Sequence, residues 1–313
     1  MEYIIKKWWN ILSIGICTLA IIIFSGCHQE NTRTDLDTNE SGTIHISVDE
    51  SFKPVIDSQI QVFEALHPAA KIIAEYKPEA ECFKDLIKDS TRMIIVTRGL
   101  TPQEEKFYQD SLSYSATWSK VANDAIAVIV NNNATDSLFT LDELRGILEG
   151  TTGDKQVAVF DGLSATSTVR YAIDSILKGK SFDPKKVFAE KSSLAVIDYV
   201  SKHKDVVGFV GVGWIGNKED TSQLSFLKSI RIASVECTCP EKSFVKPYQA
   251  NILRHRYPLV RGLYYILKEN YNGLGSGFAN FLEYEKGQLI FRRAYLAPTK
   301  MNFTVREATL NSQ

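Results

Sequence analysis

Residues 157–177, VAVFDGLSATSTVRYAIDSIL, read as a strand, a hydroxyl-rich turn and a helix that begins inside that turn. The first four residues form a short apolar run suited to a buried strand. Beyond the turn, Val169, Ala172, Ile173, Ile176 and Leu177 recur at helical spacing and make one apolar stripe, which puts the helix start near Ser167. Ser164, Thr166, Ser167 and Thr168 therefore fall where the first backbone N–H groups lack intrahelical partners and the macrodipole presents roughly half a positive charge. One hydroxyl is enough to cap a helix. Four within five residues, with Arg170 following, exceed capping and point to an anion site. The turn lacks the glycine and lysine spacing of a nucleotide P-loop, so nucleotide hydrolysis is not indicated.

Two further strand-to-helix turns precede this one. Residues 43–48 alternate apolar and polar, and Asp49, Glu50, Ser51, Phe52, Lys53 and Pro54 then lead into a helical stripe of Val55, Ile56, Ile60, Phe63 and Leu66. After a strand-like run at 70–76, Pro78 and Glu79 open a helix with Phe83, Leu86 and Ile87. Residues 93–96 form a third strand that runs into Thr97 and Arg98, with Thr101 placed to cap the next helix. In open α/β sheets ligands bind outside the carboxyl ends of strands, so these polar turns are where a site belongs. The rest of the chain reads as a strand at 125–130, a short helix at 141–148 ending at Gly150, and a helix through Leu194, Ile197 and Val200. A strand at 206–210, another at 229–235, an extended crossing segment from Tyr257 and an amphipathic helix over 277–291 follow.

The 313 residues are 44% hydrophobic and 23% charged with a net charge of −1, enough for a large core in one two-lobed domain or two domains and no case for a nucleic-acid partner. Lys6 and Lys7 precede an uncharged, largely apolar run at 8–24, which is short for a membrane span of ~20 residues. The run ends in Phe24, Ser25, Gly26 and Cys27, which resembles a bacterial lipobox despite Phe24 in place of the usual leucine. That resemblance implies a signal peptide over 1–26 and a lipid on Cys27, and the polar residues after it read as a flexible tether over 27–41. Cys82, Cys237 and Cys239 then remain, as packing residues or one incidental disulfide, without the ligand set of a metal site. His28, His67 and His203 stand away from the hydroxyl turns, and there is no Gly-x-Ser-x-Gly elbow, so no enzyme is expected.

Six segments, in order and spacing, resemble the periplasmic phosphate-binding proteins of ABC transporters, which have the type II periplasmic binding protein fold. They are Ser51-Phe52-x-Pro54, LDELRGILEG at 141–150, Thr166-Ser167-Thr168, VGFVG at 207–211, Tyr257-Pro258-Leu259 and the closing segment 281–298. The resemblance implies an α/β protein of two lobes, each a mixed sheet flanked by helices. Lobe 1 is expected over 42–122 and 263–313 and lobe 2 over 123–262, joined by crossings near 120–125 and 255–262. The family's first-turn hydroxyl falls on Ser51, with the backbone of Phe52 after it, and its Ser-Gly-Thr turn falls on Thr166, Ser167 and Thr168. The family's aspartate aligns near Thr97, and the arginine upstream of the Ser-Gly-Thr turn is missing at Gly162. Arg98 or Arg170 is therefore expected to supply the cation and Glu79, or next Glu50, the acceptor for a ligand proton. The implied protein is a periplasmic, lipid-anchored monomer without a cofactor, which captures inorganic phosphate or a related oxyanion for an inner-membrane ABC permease. An adhesion or sensing module that keeps the oxyanion-binding fold is the alternative.

Overall fold

A computed structural model describes residues 37–301 apart from 113–114, 153–155 and 163, so Cys27 and the signal segment lie outside the described residues. Its strands are β1 Gly42–Asp49, β2 Ala70–Lys77, β3 Thr91–Val96, β4 Thr117–Asn131, β5 Leu138–Phe139, β6 Val157–Phe160, β7 Val187–Ala189, β8 Val206–Gly211, β9 Ile230–Ile232, β10 Ser234–Glu236, β11 Phe244–Val245, β12 Val260–Leu267 and β13 Ala297–Pro298. Ten of them form one sheet with the path β2-β1-β3-β12-β4-β8-β6-β7, to which β9 and β13 add on β4. The other three, β11-β10-β5, make a small separate sheet.

The large sheet is held together by β4. Its first half pairs antiparallel with β12 as far as Ala125, and from Ile126 onward it pairs with β8 and β9. One strand of 15 residues thus belongs to both halves of the molecule. On either side the strands run parallel, β1 beside β2 and β3, and β6 beside β7 and β8. Parallel strands joined by crossover helices are covered on both faces, which is why β3, β6 and β8 read as short unbroken apolar runs. The helix Lys53–Leu66 has a proline in its first turn and buries Val55, Ile56 and Phe63 against β1. Phe160 of β6 stacks on Phe209 of β8 with ring centroids 4.6 Å apart. The parallel arrangement brings the carboxyl ends of β6 and β8 to one edge, as it does for β1 and β3.

The expected strand at 229–235 is two strands: β9 pairs with β4, β10 pairs with β5, and Ala233 between them hands the chain from one sheet to the other. The single helix expected over 277–291 is also two, Leu274–Glu283 and Glu285–Arg293. Tyr284 between them is extended at ψ 177°, and a Cβ on Gly287 would stand 2.2 Å from the carbonyl of Phe281, so the turn closes only around a glycine. The end of the expected tether belongs to the fold. Asp37 accepts from the backbone N–H of Leu274 at 2.7 Å, capping that helix, and Thr38 pairs with Ser41. Cys237 and Cys239 are disulfide-bonded, while Cys82 is a buried free thiol.

Candidate functional site

Two turns deliver hydroxyls to one buried point. After β1 the chain makes a 3-10 turn, Glu50–Phe52, and the side chain of Asp49 accepts from the backbone N–H of Ser51 at 2.9 Å, which fixes that turn. After β6, Thr166 caps the helix Ser167–Tyr171 by accepting from the Val169 N–H at 3.3 Å. Capping thus falls to Thr166, and the hydroxyls of Ser167 and Thr168 remain for other use. Both residues are fully buried, and Ser51 Oγ lies 3.4 Å from Ser167 Oγ and from Thr168 Oγ1. The fold thus brings Ser51 together with Ser167 and Thr168 across more than a hundred positions, while Thr166 serves as the cap.

The cation at that point is neither of the two arginines expected. Arg261 of β12, 5% exposed, donates through Nη1 to Ser167 Oγ at 2.8 Å and to Thr168 Oγ1 at 3.3 Å. Its Nε donates to Asp124 Oδ2 at 2.8 Å, and its Nη2 is buried with no hydrogen-bond partner among the described residues. The buried ring of Phe52 lies 5.1 Å from the guanidinium carbon, within cation–π range. A Cβ on Gly211, at the end of β8, would come within 3.2 Å of the Ser51 carbonyl and 3.3 Å of Arg261 Nη2, so the backbone approaches the site closely there.

Arg261 faces three buried carboxyls, Asp49, Asp124 and Asp161. Burial pushes all three up, Asp49 to about 7, and the charge of Arg261 offsets only part of that rise. Arg261 itself is held above its usual value, because Asp124 and Asp49 outweigh its own desolvation. One oxygen of each carboxyl, Asp49 Oδ2, Asp124 Oδ1 and Asp161 Oδ1, is buried without a hydrogen-bond partner. Glu50 sits beside them and accepts from Ser193 Oγ at 2.8 Å and from the Ser193 N–H at 3.3 Å. Burial and the neighbouring Asp161 push Glu50 up, and Ser193 counters in part.

The remaining expected residues have partners of their own. Arg170 Nε donates to Glu79 Oε2 at 2.7 Å and its Nη2 to Thr97 Oγ1 at 2.6 Å, while the Thr97 N–H donates to Glu79 Oε1 at 2.8 Å. Burial raises Glu79, but Arg170 and Thr97 outweigh it and hold the carboxyl below its usual value. Arg98 makes a two-point ion pair with Glu104 at 2.7 and 2.8 Å and lies over the ring of Phe83. Glu79, Phe83, Arg98 and Arg170, with Ser164 and Ile173, line a cleft of about 280 Å³. The Ala80 N–H donates across it to the carbonyl of Ala165, a residue held at φ 69° in the hydroxyl turn. A second cleft, about 600 Å³, lies among Val62, Lys218, Lys286, Leu289, Arg293 and Tyr295, and none of the residues around Arg261 lines it.

Two mixed half-sheets sharing a central strand, with donors from two turns and from β12 meeting at one point, give the type II periplasmic binding protein fold. The chain belongs to the family of the PBP superfamily domain, whose model matches residues 34–284. Among solved structures, it is similar to one with bound phosphate from Clostridium perfringens, assigned as a phosphate ABC transporter substrate-binding protein, at TM-score 0.67 and 18% identity over 82% of this chain and 100% of that one. An ABC-type phosphate transport receptor from Vibrio cholerae matches at TM-score 0.61 and 18% identity, over 82% and 100% of the two chains. PstS from Borrelia burgdorferi matches at TM-score 0.52 and 18% identity, over 82% and 99%. No curated protein matches. Among the described residues no helix is long and apolar enough to cross a membrane.

Proposed function

We propose that this chain is an extracytoplasmic solute-binding protein that captures inorganic phosphate and passes it to an ABC permease, held to the membrane by a lipid on Cys27. The observation that carries the reading is the convergence of Ser51, Ser167, Thr168 and Arg261 from β1, β6 and β12 on one buried point. Such a set gives several donors and one positive charge, which suits a tetrahedral oxyanion and offers no nucleophile with a base. The solved structures it resembles, which include a phosphate complex, support the same ligand class. In this reading the lobes are 42–122 with 263–313, and 123–262. Ser51, the Phe52 N–H, Ser167, Thr168 and Arg261 hold the ligand, Thr166 shapes the turn, and Glu79, Arg98 and Arg170 close the mouth. The protein acts as a monomer at the outer face of the inner membrane.

Calorimetric titration with phosphate tests this, using a soluble form that begins before Asp37 so that the cap on Leu274 is kept. Saturable 1:1 binding is expected, with a smaller radius of gyration by scattering at saturation as the lobes close. No binding would overturn the phosphate reading.

A further inference from the structure

We propose that the Cys237–Cys239 disulfide is a thiol-exchange site, at which an external thiolate attacks Cys239 Sγ and Cys237 Sγ leaves toward the hydroxyl of Ser243. None of the residues around Arg261 takes part, so the site is independent of the phosphate reading.

The two cysteines are separated by Thr238 alone, in the hairpin between β10 and β11, where the Cys237 N–H donates to the Ser243 carbonyl at 2.8 Å. A bond that closes so short a loop removes little entropy from the unfolded chain, and the hairpin has its own strand pairing, so the cross-link adds little to the fold. The two sulfurs differ in access. Cys237 is 2% exposed, whereas Cys239 is half-buried between the exposed residues Thr238 and Pro240. An incoming thiolate therefore meets Cys239 first.

Two neighbours assist that exchange. Arg256 Nη2 donates to Cys239 Sγ at 3.8 Å and to Ser243 Oγ at 3.2 Å, while its Nε is buried without a hydrogen-bond partner among the described residues. No carboxylate among the described residues pairs with Arg256, so its charge draws a thiolate toward Cys239. Arg256 is the donor to Ser243, which leaves the Ser243 hydroxyl proton for sulfur, and that oxygen lies 3.4 Å from Cys237 Sγ and 3.7 Å from Cys239 Sγ. The hydrogen bond stabilises the departing Cys237 thiolate, and a more acidic leaving thiol departs faster. Glu241, whose carboxylate lies within 4.8 Å of both sulfurs, acts against this, but it is exposed and screened by solvent. With a dithiol, the first sulfur of the reagent bonds to Cys239 as the Cys237–Cys239 bond breaks, and Cys237 takes a proton from water. The second sulfur then displaces Cys239, so the reagent is oxidised to its disulfide and both cysteines are left as thiols.

The test is reduction of the folded full chain by dithiothreitol, quenched with N-ethylmaleimide, with labels assigned to individual cysteines by peptide mass mapping. Cys237 and Cys239 are expected to take the label while the buried thiol of Cys82 does not, which marks the protein as still folded. With glutathione in place of the dithiol, the trapped adduct is expected on Cys239 and N-ethylmaleimide on Cys237. Arg256→Gln and Ser243→Ala should each slow reduction roughly 3- to 10-fold, Arg256→Lys should keep most of the wild-type rate, and Glu241→Gln should raise it about 2-fold. Labelling that appears only together with Cys82 overturns the proposal, because the bond then opens only on unfolding. Glutathione on Cys237 also overturns it, as does an unchanged rate in both Arg256→Gln and Ser243→Ala. If Arg256→Gln does not fold, Ser243→Ala and the position of the wild-type adduct decide.

Discussion

Arg261 and Asp124 stand directly opposite one another on β12 and β4, and their side chains meet at 2.8 Å, so the ion pair is also a rung of the sheet. It is nearly inaccessible to solvent, with side chains 3% and 1% exposed. Removing one partner of such a pair strands the other charge, which costs about 3–5 kcal/mol, whereas replacing both with apolar groups costs far less. Arg261→Met should therefore lower stability by roughly that amount in urea denaturation, and Arg261→Met combined with Asp124→Leu should regain most of it. Neither variant should bind the oxyanion. Arg261→Lys keeps the charge but loses the fork that spans Asp124 and Ser167, so it should fold and bind weakly. A double variant no more stable than Arg261→Met would contradict this account of the pair.

Asp49 makes stability depend on pH. Its value rises on folding from 3.8 to about 7, so the folded state holds the proton more tightly. The associated stability is full below pH 3.8 and is lost as pH rises through about 7. Asp124, Asp161 and Glu50 are also raised and act in the same direction. Thermal unfolding of the ligand-free protein should show Asp49→Asn gaining on the wild type between about pH 4 and pH 8, with a slope reduced rather than abolished. Parallel profiles would show that Asp49 keeps an ordinary value.

Asp37 should matter more than its place in a polar leader suggests. It caps Leu274, bonds the Tyr271 hydroxyl and lies 3.6 Å from Arg92. Burial raises its carboxyl, but Tyr271, the Leu274 N–H and Arg92 outweigh it and hold the value low. Asp37→Ala should cost about 1–2 kcal/mol in denaturant unfolding, the loss of an N-cap. A form trimmed to begin at residue 42 should show the same deficit.

Gly211→Ala probes the approach of β8 to the site. The added methyl meets the Ser51 carbonyl at 3.2 Å and Arg261 Nη2 at 3.3 Å, and one of them must give way. A destabilisation of about 1–3 kcal/mol is expected, with phosphate affinity falling further than stability alone explains. Affinity equal to that of the wild type would mean that the site accommodates the methyl without moving Ser51.

Much of the site was legible because it lies on strand-to-helix turns. The stripes after Ser51 and Ser167 fix where those helices begin, and the hydroxyls follow from that. Arg261 lies on no such turn. Its role depends on β12 entering the sheet opposite a residue 137 positions away, a pairing that local periodicity does not encode. One signal was present: Arg261 and Asp124 are lone charges at the heads of apolar strands, and a charge carried into a core strand requires a partner. The expected cations were displaced for a local reason, since Arg98 has Glu104 six residues away and Arg170 reaches Glu79. The two C-terminal helices were merged because the apolar stripe continues through Tyr284, and only the contact between Gly287 and the Phe281 carbonyl breaks it.

The place of β12 in the sheet also sets when the protein is able to fold. β3 and β4 follow one another in the chain, yet they do not pair; β12, made more than a hundred residues later, lies between them and bonds to both. Until residue 267 has emerged, the half-sheet of β1, β2 and β3 has no bridge to β4, and both facing edges are open. Contacts of such long sequence separation form late and slowly. In the exported protein proposed above, this order would leave the two half-sheets unjoined until the last large strand arrives and closes the sheet.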